Sequence, residues 1–154
     1  MADVIPDGAG NEGALLASAG RRAANRVLRE LERLRHVFDD ERVVAIRIRP
    51  SRRMSASLAR AYPQRGEIAV AVQVLSSRHL EEVLAHEVAH LVCWWRHGRT
   101  RPHGAEWRAI MVEAGHEPRV RLAADDVVLP PRRRRKSRRR PVRQRIYSFV
   151  RDLL

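Results

Sequence analysis

The chain has 154 residues, 44% of them hydrophobic, which is enough for one domain with a buried core. Its only cysteine, Cys93, excludes an internal disulfide and a zinc ribbon built from cysteines within the chain. No apolar run of about 18 residues is present, so we expect no membrane insertion, no secretion and a cytoplasmic location.

The net charge of +13 is concentrated at the C-terminal end. Residues 130–154 hold eleven lysines and arginines against one acid, so they carry +10 and residues 1–129 carry only +3. We therefore predict a disordered N-terminus over 1–20, a globular domain over 21–129 and an arginine-rich tail over 130–154.

The predicted elements begin with an amphipathic helix over 21–38, indicated by apolar residues at three- to four-residue spacing. Three candidate strands follow. "VVAIRIRP" (43–50) alternates and stops at a proline, "MSASLARAYP" (54–63) is weaker, and "GEIAVAVQVL" (66–75) is clear. The strands predict a short, mostly antiparallel sheet.

Two more helices complete the predicted domain. Ser76 or Ser77 can cap a helix over about 78–95, and "AEWRAIMVEAG" (105–115) predicts a short helix ending at Gly115. The order of helix, strands, helix, loop and helix predicts a small α+β domain.

The stretch "LEEVLAHEVAHLVCWW" (80–95) is apolar except for polar side chains at its centre. His86 and His90 are four residues apart, so on a helix they share one face and can both reach one Zn²⁺. Glu87 lies near the open metal position, where it can take a proton from an activated water. This is the H-E-x-x-H pattern of zinc peptidases.

A catalytic zinc takes three protein ligands and leaves one position for water, so a third ligand is expected. His103 is favoured because "PHGAEW" returns the chain and starts a helix that can pack on the first. Glu106, Glu113 and His97 are the alternatives. We predict one Zn²⁺ per chain.

Two motifs together resemble the SprT-like family of zinc metalloproteases, which includes Spartan, a protease acting on proteins crosslinked to DNA. "LAHEVAHLVCWW" (84–95) carries HExxH on a helix, and "HGAEWRAIMVEAGHEP" (103–118) opens a second helix with His-Gly-x-x-aromatic. The resemblance covers about residues 43–118. It implies zinc ligands at His86, His90 and His103, with Glu87 as general base.

The resemblance also implies a zincin-type domain with a three-stranded sheet over the cleft, whose edge strand can pair with an extended substrate. Residues 66–75 are the candidate central strand. The chain departs from bacterial SprT proteins because one cysteine cannot form their C-terminal zinc ribbon, and a basic tail stands in that place.

The tail "PPRRRRKSRRRPVRQR" (130–145) predicts sequence-independent binding to DNA phosphates, and a solvated appendage is the alternative. No lipidation signal accompanies it, so we expect no membrane partner. If the source is bacterial, we expect association with the nucleoid. "RIYSFVRDLL" (145–154) can form a short amphipathic helix. The predicted phosphate-binding residues are Arg132, Arg133, Arg134, Arg135, Lys136, Arg138, Arg139 and Arg140.

These features predict a zinc-dependent endopeptidase of SprT-like type that acts on proteins bound or crosslinked to DNA. One alternative is a nucleic-acid-binding protein with a purely structural zinc, which would have four protein ligands. Another is a metallopeptidase whose substrate is unrelated to DNA. Trp94, Trp95 and Trp107 are predicted to fill the core between the two helices.

Overall fold

The structure, a computed structural model, describes residues 9–122 and 125–131. These residues form helices on one three-stranded sheet, so the predicted α+β class is confirmed. In chain order the elements are α1 (Ala9–Phe38), β1 (Arg47–Ser51), β2 (Ala59–Tyr62), β3 (Glu67–Ala71), α2 (Val72–Leu75), α3 (Leu80–His97) and α4 (Ala105–Glu113).

Helix α1 begins earlier than the sequence pattern predicts. Residues 9–19 are helical where the sequence predicts disorder over 1–20, and residues 1–8 lie outside the described part. This segment lacks an apolar period, but its alanines and leucines are strong helix formers. Gly20 interrupts the helical dihedral angles with a φ of 81°, which a glycine adopts without steric cost. The predicted apolar stripe is buried: Val27, Leu31, Leu34 and Phe38.

The sheet has the strand order β1-β3-β2, so β3 is central as predicted. The pairing of β2 with β3 is antiparallel, whereas β1 and β3 run parallel. The prediction of a mostly antiparallel sheet is therefore wrong, because β3 enters between the two earlier strands instead of extending a meander. All five residues of β3 are buried, as expected for the central strand of a sheet.

The segment after β3 differs from its prediction. The strand ends at Ala71 and the chain turns into the short helix α2, although the alternation of branched residues continues through Val74. Ser76 is the C-cap of α2, so it cannot cap α3. Helix α3 begins only at Leu80, and the Ser77 hydroxyl accepts a hydrogen bond from the His79 backbone N–H at 3.1 Å.

The core lies between the sheet and the helices α1, α3 and α4. Most of α3 is buried, including Leu84, Val88 and Leu91 with no exposed area. Of the polar residues at its centre, His86 is buried and Glu87 and His90 are partly buried. Over residues 9–122 and 125–131, no helix is long and apolar enough to cross a membrane.

On the outer face of the sheet, one buried acid pairs with two exposed arginines. Glu67 accepts hydrogen bonds from Arg47 at 2.6 Å and from Arg49 at 2.8 Å. Burial alone would raise the pKa of Glu67, but the hydrogen bonds and charges of Arg49 and Arg47 outweigh burial and hold that pKa below its usual value.

Glu67→Gln removes this charge while keeping the side-chain shape. We expect the free energy of unfolding at neutral pH to fall by about 1 kcal/mol, since water screens the half-exposed arginines. The pKa of Glu67 is lower in the folded state than in the unfolded state. The stability difference between the two proteins is therefore fully present above about pH 4.3, and it disappears as the pH falls through the folded-state pKa. Urea unfolding of both proteins at several pH values measures this difference. A difference that grows toward acid pH would contradict the assignment.

Candidate metal centre and cleft

Helix α3 carries two histidines on successive turns of one face. His86 and His90 are four residues apart, and their ring centroids lie 5.2 Å from each other. His86 is buried and His90 is partly exposed. The helix therefore presents both rings toward the same space at the edge of the core.

His103 comes from the loop between α3 and α4. Its backbone is in the left-handed region, with a φ of 56°, which is uncommon for residues other than glycine. The turn is tight: the Gly104 N–H bonds to the Arg101 carbonyl at 3.0 Å, and a Cβ at Gly104 would lie 2.9 Å from that oxygen. Gly104 is therefore required for the turn that brings His103 over α3. Such strain is typical of functional positions.

The Nε2 atoms of the three histidines converge. The Nε2 of His103 lies 3.1 Å from that of His90 and 3.2 Å from that of His86. Nitrogens bound to one tetrahedral Zn²⁺ at 2.0–2.1 Å would lie about 3.3–3.4 Å apart. The donor atoms and their spacing fit a metal ion. Hydrogen bonds alone fit less well, because each of these nitrogens is either a donor or an acceptor and three of them cannot all pair with one another.

Trp107, in the first turn of α4, packs against all three imidazoles. Its ring centroid lies 4.8 Å from that of His86, 5.4 Å from that of His90 and 4.6 Å from that of His103. The indole N–H also donates to the His86 carbonyl at 3.4 Å. Trp107 is 1% exposed, which confirms its predicted place in the core, and its contacts hold the three rings in position.

The environment keeps the three imidazoles neutral. Burial lowers the pKa of His86 to about 4, and burial does the same for His90. The pKa of His103 is also lowered, first by burial and then by the charge of Arg108. Neutral imidazole is the form that binds a metal, so the site is in the binding form at neutral pH.

Glu87 lines the same cleft as the three histidines. Burial raises the pKa of its carboxyl to about 7, and the Ala61 backbone and the charge of Arg60 act in the opposite direction. Both of these partners belong to β2, so the Glu87 carboxyl group contacts that strand.

The cleft has a volume of about 550 Å³. One wall is β2, with Ala59, Arg60 and Ala61, and the other is the loop after α3, with Thr100 and Arg101. Sequence reasoning missed these residues because β2 was a weak strand candidate and nothing local places it beside α3.

Two further side chains in the cleft form a contact between α3 and the loop. The Sγ of Cys93 lies 3.3 Å from the Thr100 hydroxyl oxygen. Trp94 also lines the cleft and is only partly buried, so it forms part of the cleft wall. Trp95 is partly buried and packs against the core.

The alternative third ligands do not join the histidine cluster. Glu113 pairs with Arg96 at 2.7 Å, and Glu106 and His97 are exposed. Within the described residues, the group of three around this point consists of His86, His90 and His103. The geometry thus brings His103 to the pair on α3, and its role as a ligand stays a prediction.

A second group, His79 with Asp125 and Asp126, is mostly exposed. Its carboxylates also pair with Arg78, at 2.8 Å for Asp125, so the group joins the start of α3 to the segment after the domain core.

The predicted phosphate-binding residues 132–140 and the candidate helix 145–154 lie outside the described residues.

The fold and the three converging histidines define a small α+β domain with a metal-type site. Residues 26–126 match the SprT-like family, and the chain belongs to that family. The resemblance seen in the two motifs is therefore confirmed. Family and histidine cluster together suggest a bound metal.

Individual relatives match over short segments. Protein SprT of Vibrio parahaemolyticus is 62% identical over 32 residues, 21% of this chain and 19% of that protein. Protein SprT of Shewanella oneidensis is 47% identical over 38 residues, 25% and 24% of the two chains. Protein SprT of Pasteurella multocida is 37% identical over 59 residues, 36% of each. The matched segments thus span about a fifth to a third of these relatives, and no solved structure matches the chain.

Replacing His86, His90 or His103 by alanine should remove one of the three nitrogen donors. We expect each variant to lose stoichiometric zinc and to bind it on the order of 100-fold more weakly or worse. Metal content and competition with a chromophoric chelator measure the effect. His97→Ala is the matched control, because this exposed histidine is outside the cluster and should bind zinc as the wild type does. Unchanged zinc affinity in His103→Ala would contradict the assignment of the third ligand.

Proposed function

We propose that the protein is a zinc-dependent endopeptidase of the SprT-like, zincin type. The observation that carries the proposal is the convergence of three histidines, with the Nε2 of His103 at 3.1 Å from that of His90 and 3.2 Å from that of His86. Glu87 lies in the same cleft, beside the edge of β2. His86, His90 and His103 would hold one Zn²⁺ per chain. When bound, zinc supplies Lewis acidity that activates water and polarises a carbonyl group.

Glu87 is the proposed general base. Its carboxylate takes a proton from the attacking water and delivers it to the nitrogen of the leaving amine as the peptide bond breaks. The carboxyl group is largely withdrawn from solvent, so this proton stays within the cleft. Glu87 adjoins the ligand His86 without itself belonging to the histidine cluster, which supports a role in proton transfer and not in metal binding.

Strand β2 is the proposed docking edge for an extended substrate. The Ala71 N–H donates to the Leu58 carbonyl, and the antiparallel register pairs Arg60 with Ala69. Along an antiparallel ladder, residues that bond to the neighbouring strand alternate with residues that do not. Leu58 and Arg60 bond to β3, so the N–H and C=O groups of Ala59 and Ala61 point away from it. Both residues line the cleft, and the Ala61 backbone also contacts Glu87, so a substrate strand on this edge would pass Glu87 and the histidine cluster.

A purely structural zinc is the rival function. A structural site is closed by four protein ligands, whereas the cluster has three among the described residues and opens into a cleft. This arrangement supports the peptidase. A peptidase unrelated to DNA is the other alternative, and the charge of residues 130–154 supports a nucleic-acid-bound substrate instead.

One incubation separates these three functions. The purified protein is mixed with a protein crosslinked to DNA and, in parallel, with the same protein free. Cleavage of the crosslinked substrate alone supports the proposal. Equal cleavage of both indicates a peptidase unrelated to DNA, and cleavage of neither supports the structural-zinc alternative.

Glu87→Gln should retain zinc and fold while peptide turnover falls by about 10²- to 10⁴-fold, because glutamine cannot accept the proton. Zinc content, thermal unfolding and cleavage of a peptide are measured on the same preparation. Glu106→Gln serves as the control, since Glu106 is an exposed glutamate outside the cleft lining. Wild-type turnover in Glu87→Gln would exclude the mechanism, and loss of zinc would make Glu87 a ligand.

Deleting residues 130–154 should lower DNA affinity and flatten its dependence on salt. Each phosphate neutralised on duplex DNA contributes about −0.9 to the slope of log affinity against log salt. Binding should barely distinguish sequences, because phosphate contacts carry no base information. Cleavage of a short free peptide should survive the deletion. Unchanged affinity and slope would show that the tail is a solvated appendage.

A further inference from the structure

The outer face of the sheet carries a group of arginines that the metal centre does not use. We define the arginine face as three arginines that the strand register places on this face, Arg47, Arg49 and Arg60, together with three in the segments that follow β1 and β2, Arg52, Arg53 and Arg65. All six are exposed. Glu67, on the central strand, is the one acid that the sheet register places among them.

The register of the strands sets the spacing of these charges. Arg49 and Arg60 lie on either side of Ala69, one on β1 and the other on β2. With neighbouring strands about 4.8 Å apart, the two backbones are separated by about 10 Å. Ala69 is 2% exposed although it lies in the middle of this face, as expected where the aliphatic stems of long side chains cover the strand.

Glu67 orders two of the guanidinium groups without hiding them. Its side chain is 6% exposed, whereas those of Arg47 and Arg49 are 61% and 45% exposed. Arg47 uses its Nη2 and Arg49 its Nε in these ion pairs. A guanidinium has five N–H donors, so each arginine can bind Glu67 and an external anion at the same time.

Three other members of the face have no ion pair within the described residues, whereas the charge of Arg60 acts on Glu87. No ion pair to Arg52, Arg53 or Arg65 occurs among the described residues, whereas many arginines elsewhere in the domain are paired with acids. Arg65 lies over the ring of Tyr62, with its Cζ 5.8 Å from the centroid. A partly exposed aromatic ring beside a row of cations is typical of nucleic-acid surfaces.

We infer that the arginine face binds the phosphate backbone of a nucleic acid. Its charges extend over two strands and the adjoining turns, which fits a chain of phosphates better than a single anion. The large exposed hydrophobic residues of the described chain, Val112, Val120 and Val128, lie elsewhere, so nothing on this face would enter a bilayer. Arg60 belongs to the face and also lines the cleft, so a nucleic acid bound here lies beside the metal centre.

This inference rests on the proposed function where it places nucleic acid next to a peptidase cleft, but its test needs no catalysis. The full chain carrying Glu87→Gln is titrated with a fluorescent DNA duplex, a DNA single strand and an RNA single strand of equal length, over a range of salt. In this background, Arg52→Gln, Arg53→Gln and Arg65→Gln are combined. The matched control combines Arg21→Gln, Arg22→Gln and Arg29→Gln, three exposed arginines of α1 with the same total charge.

The face variant should lose on the order of tenfold in affinity, and its salt slope should fall by about 2 to 3, at about 0.9 per duplex phosphate released. The control should bind as the parent does. Equal losses in both triple variants would overturn the inference, because bulk charge would then explain binding. A polyglutamate that displaces DNA at equal charge concentration would also overturn it, in favour of an acidic protein partner.

Thermal unfolding and zinc content are measured on every variant. If the triple variant unfolds, the double variant Arg52→Gln with Arg53→Gln is used, which leaves the contact of Arg65 with Tyr62 intact. It should lose about 1 to 2 from the slope, and an unchanged slope would overturn the inference. Failure of wild-type peptide cleavage would refute the proposed function and leave the binding result untouched.

Discussion

The packing of Trp107 against three imidazole rings is the interaction on which the site depends. The indole is 1% exposed and contacts rings that come from α3 and from the loop before α4. Without that contact, His103 would be held by a turn in an unfavourable backbone conformation and by the hydrogen bond from Arg108 to its carbonyl oxygen. Because the indole belongs to the core as well as to the site, the stability of the fold and the geometry of the cluster are linked.

The sheet has a different role on each of its faces and edges. Its inner face supports the core, the open edge of β2 forms one wall of the cleft, and the outer face carries the arginines. A single strand therefore takes part in all three. A four-residue strand can do this because its side chains alternate between faces while its backbone groups alternate between edges.

The sequence predicted those parts of the site that depend on local geometry. His86, Glu87 and His90 share one helix, so their relative positions follow from helical spacing. His103 was predicted from the second motif. Only the tertiary structure shows that Glu113 forms an ion pair with Arg96 and that Glu106 and His97 are exposed.

The parallel pairing of β1 with β3 could not be predicted from the sequence. The alternation of apolar and polar residues identifies a strand, but strand order and direction depend on how the connections cross the sheet. For the same reason, nothing in the sequence indicated that Arg60 lines the cleft. The end of β3 at Ala71 was also missed, because a buried apolar run has the same composition in a strand and in a helix.

The position of Trp107 gives the protein an internal optical reporter. Its indole lies within 5.4 Å of every imidazole centroid in the cluster, and imidazole quenches indole emission to an extent that depends on its protonation and coordination. Filling the site would thus change the fluorescence of one specific tryptophan. Trp95, near the end of α3 and outside the cleft lining, provides an internal reference within the same chain, whereas Trp94 shares the cleft.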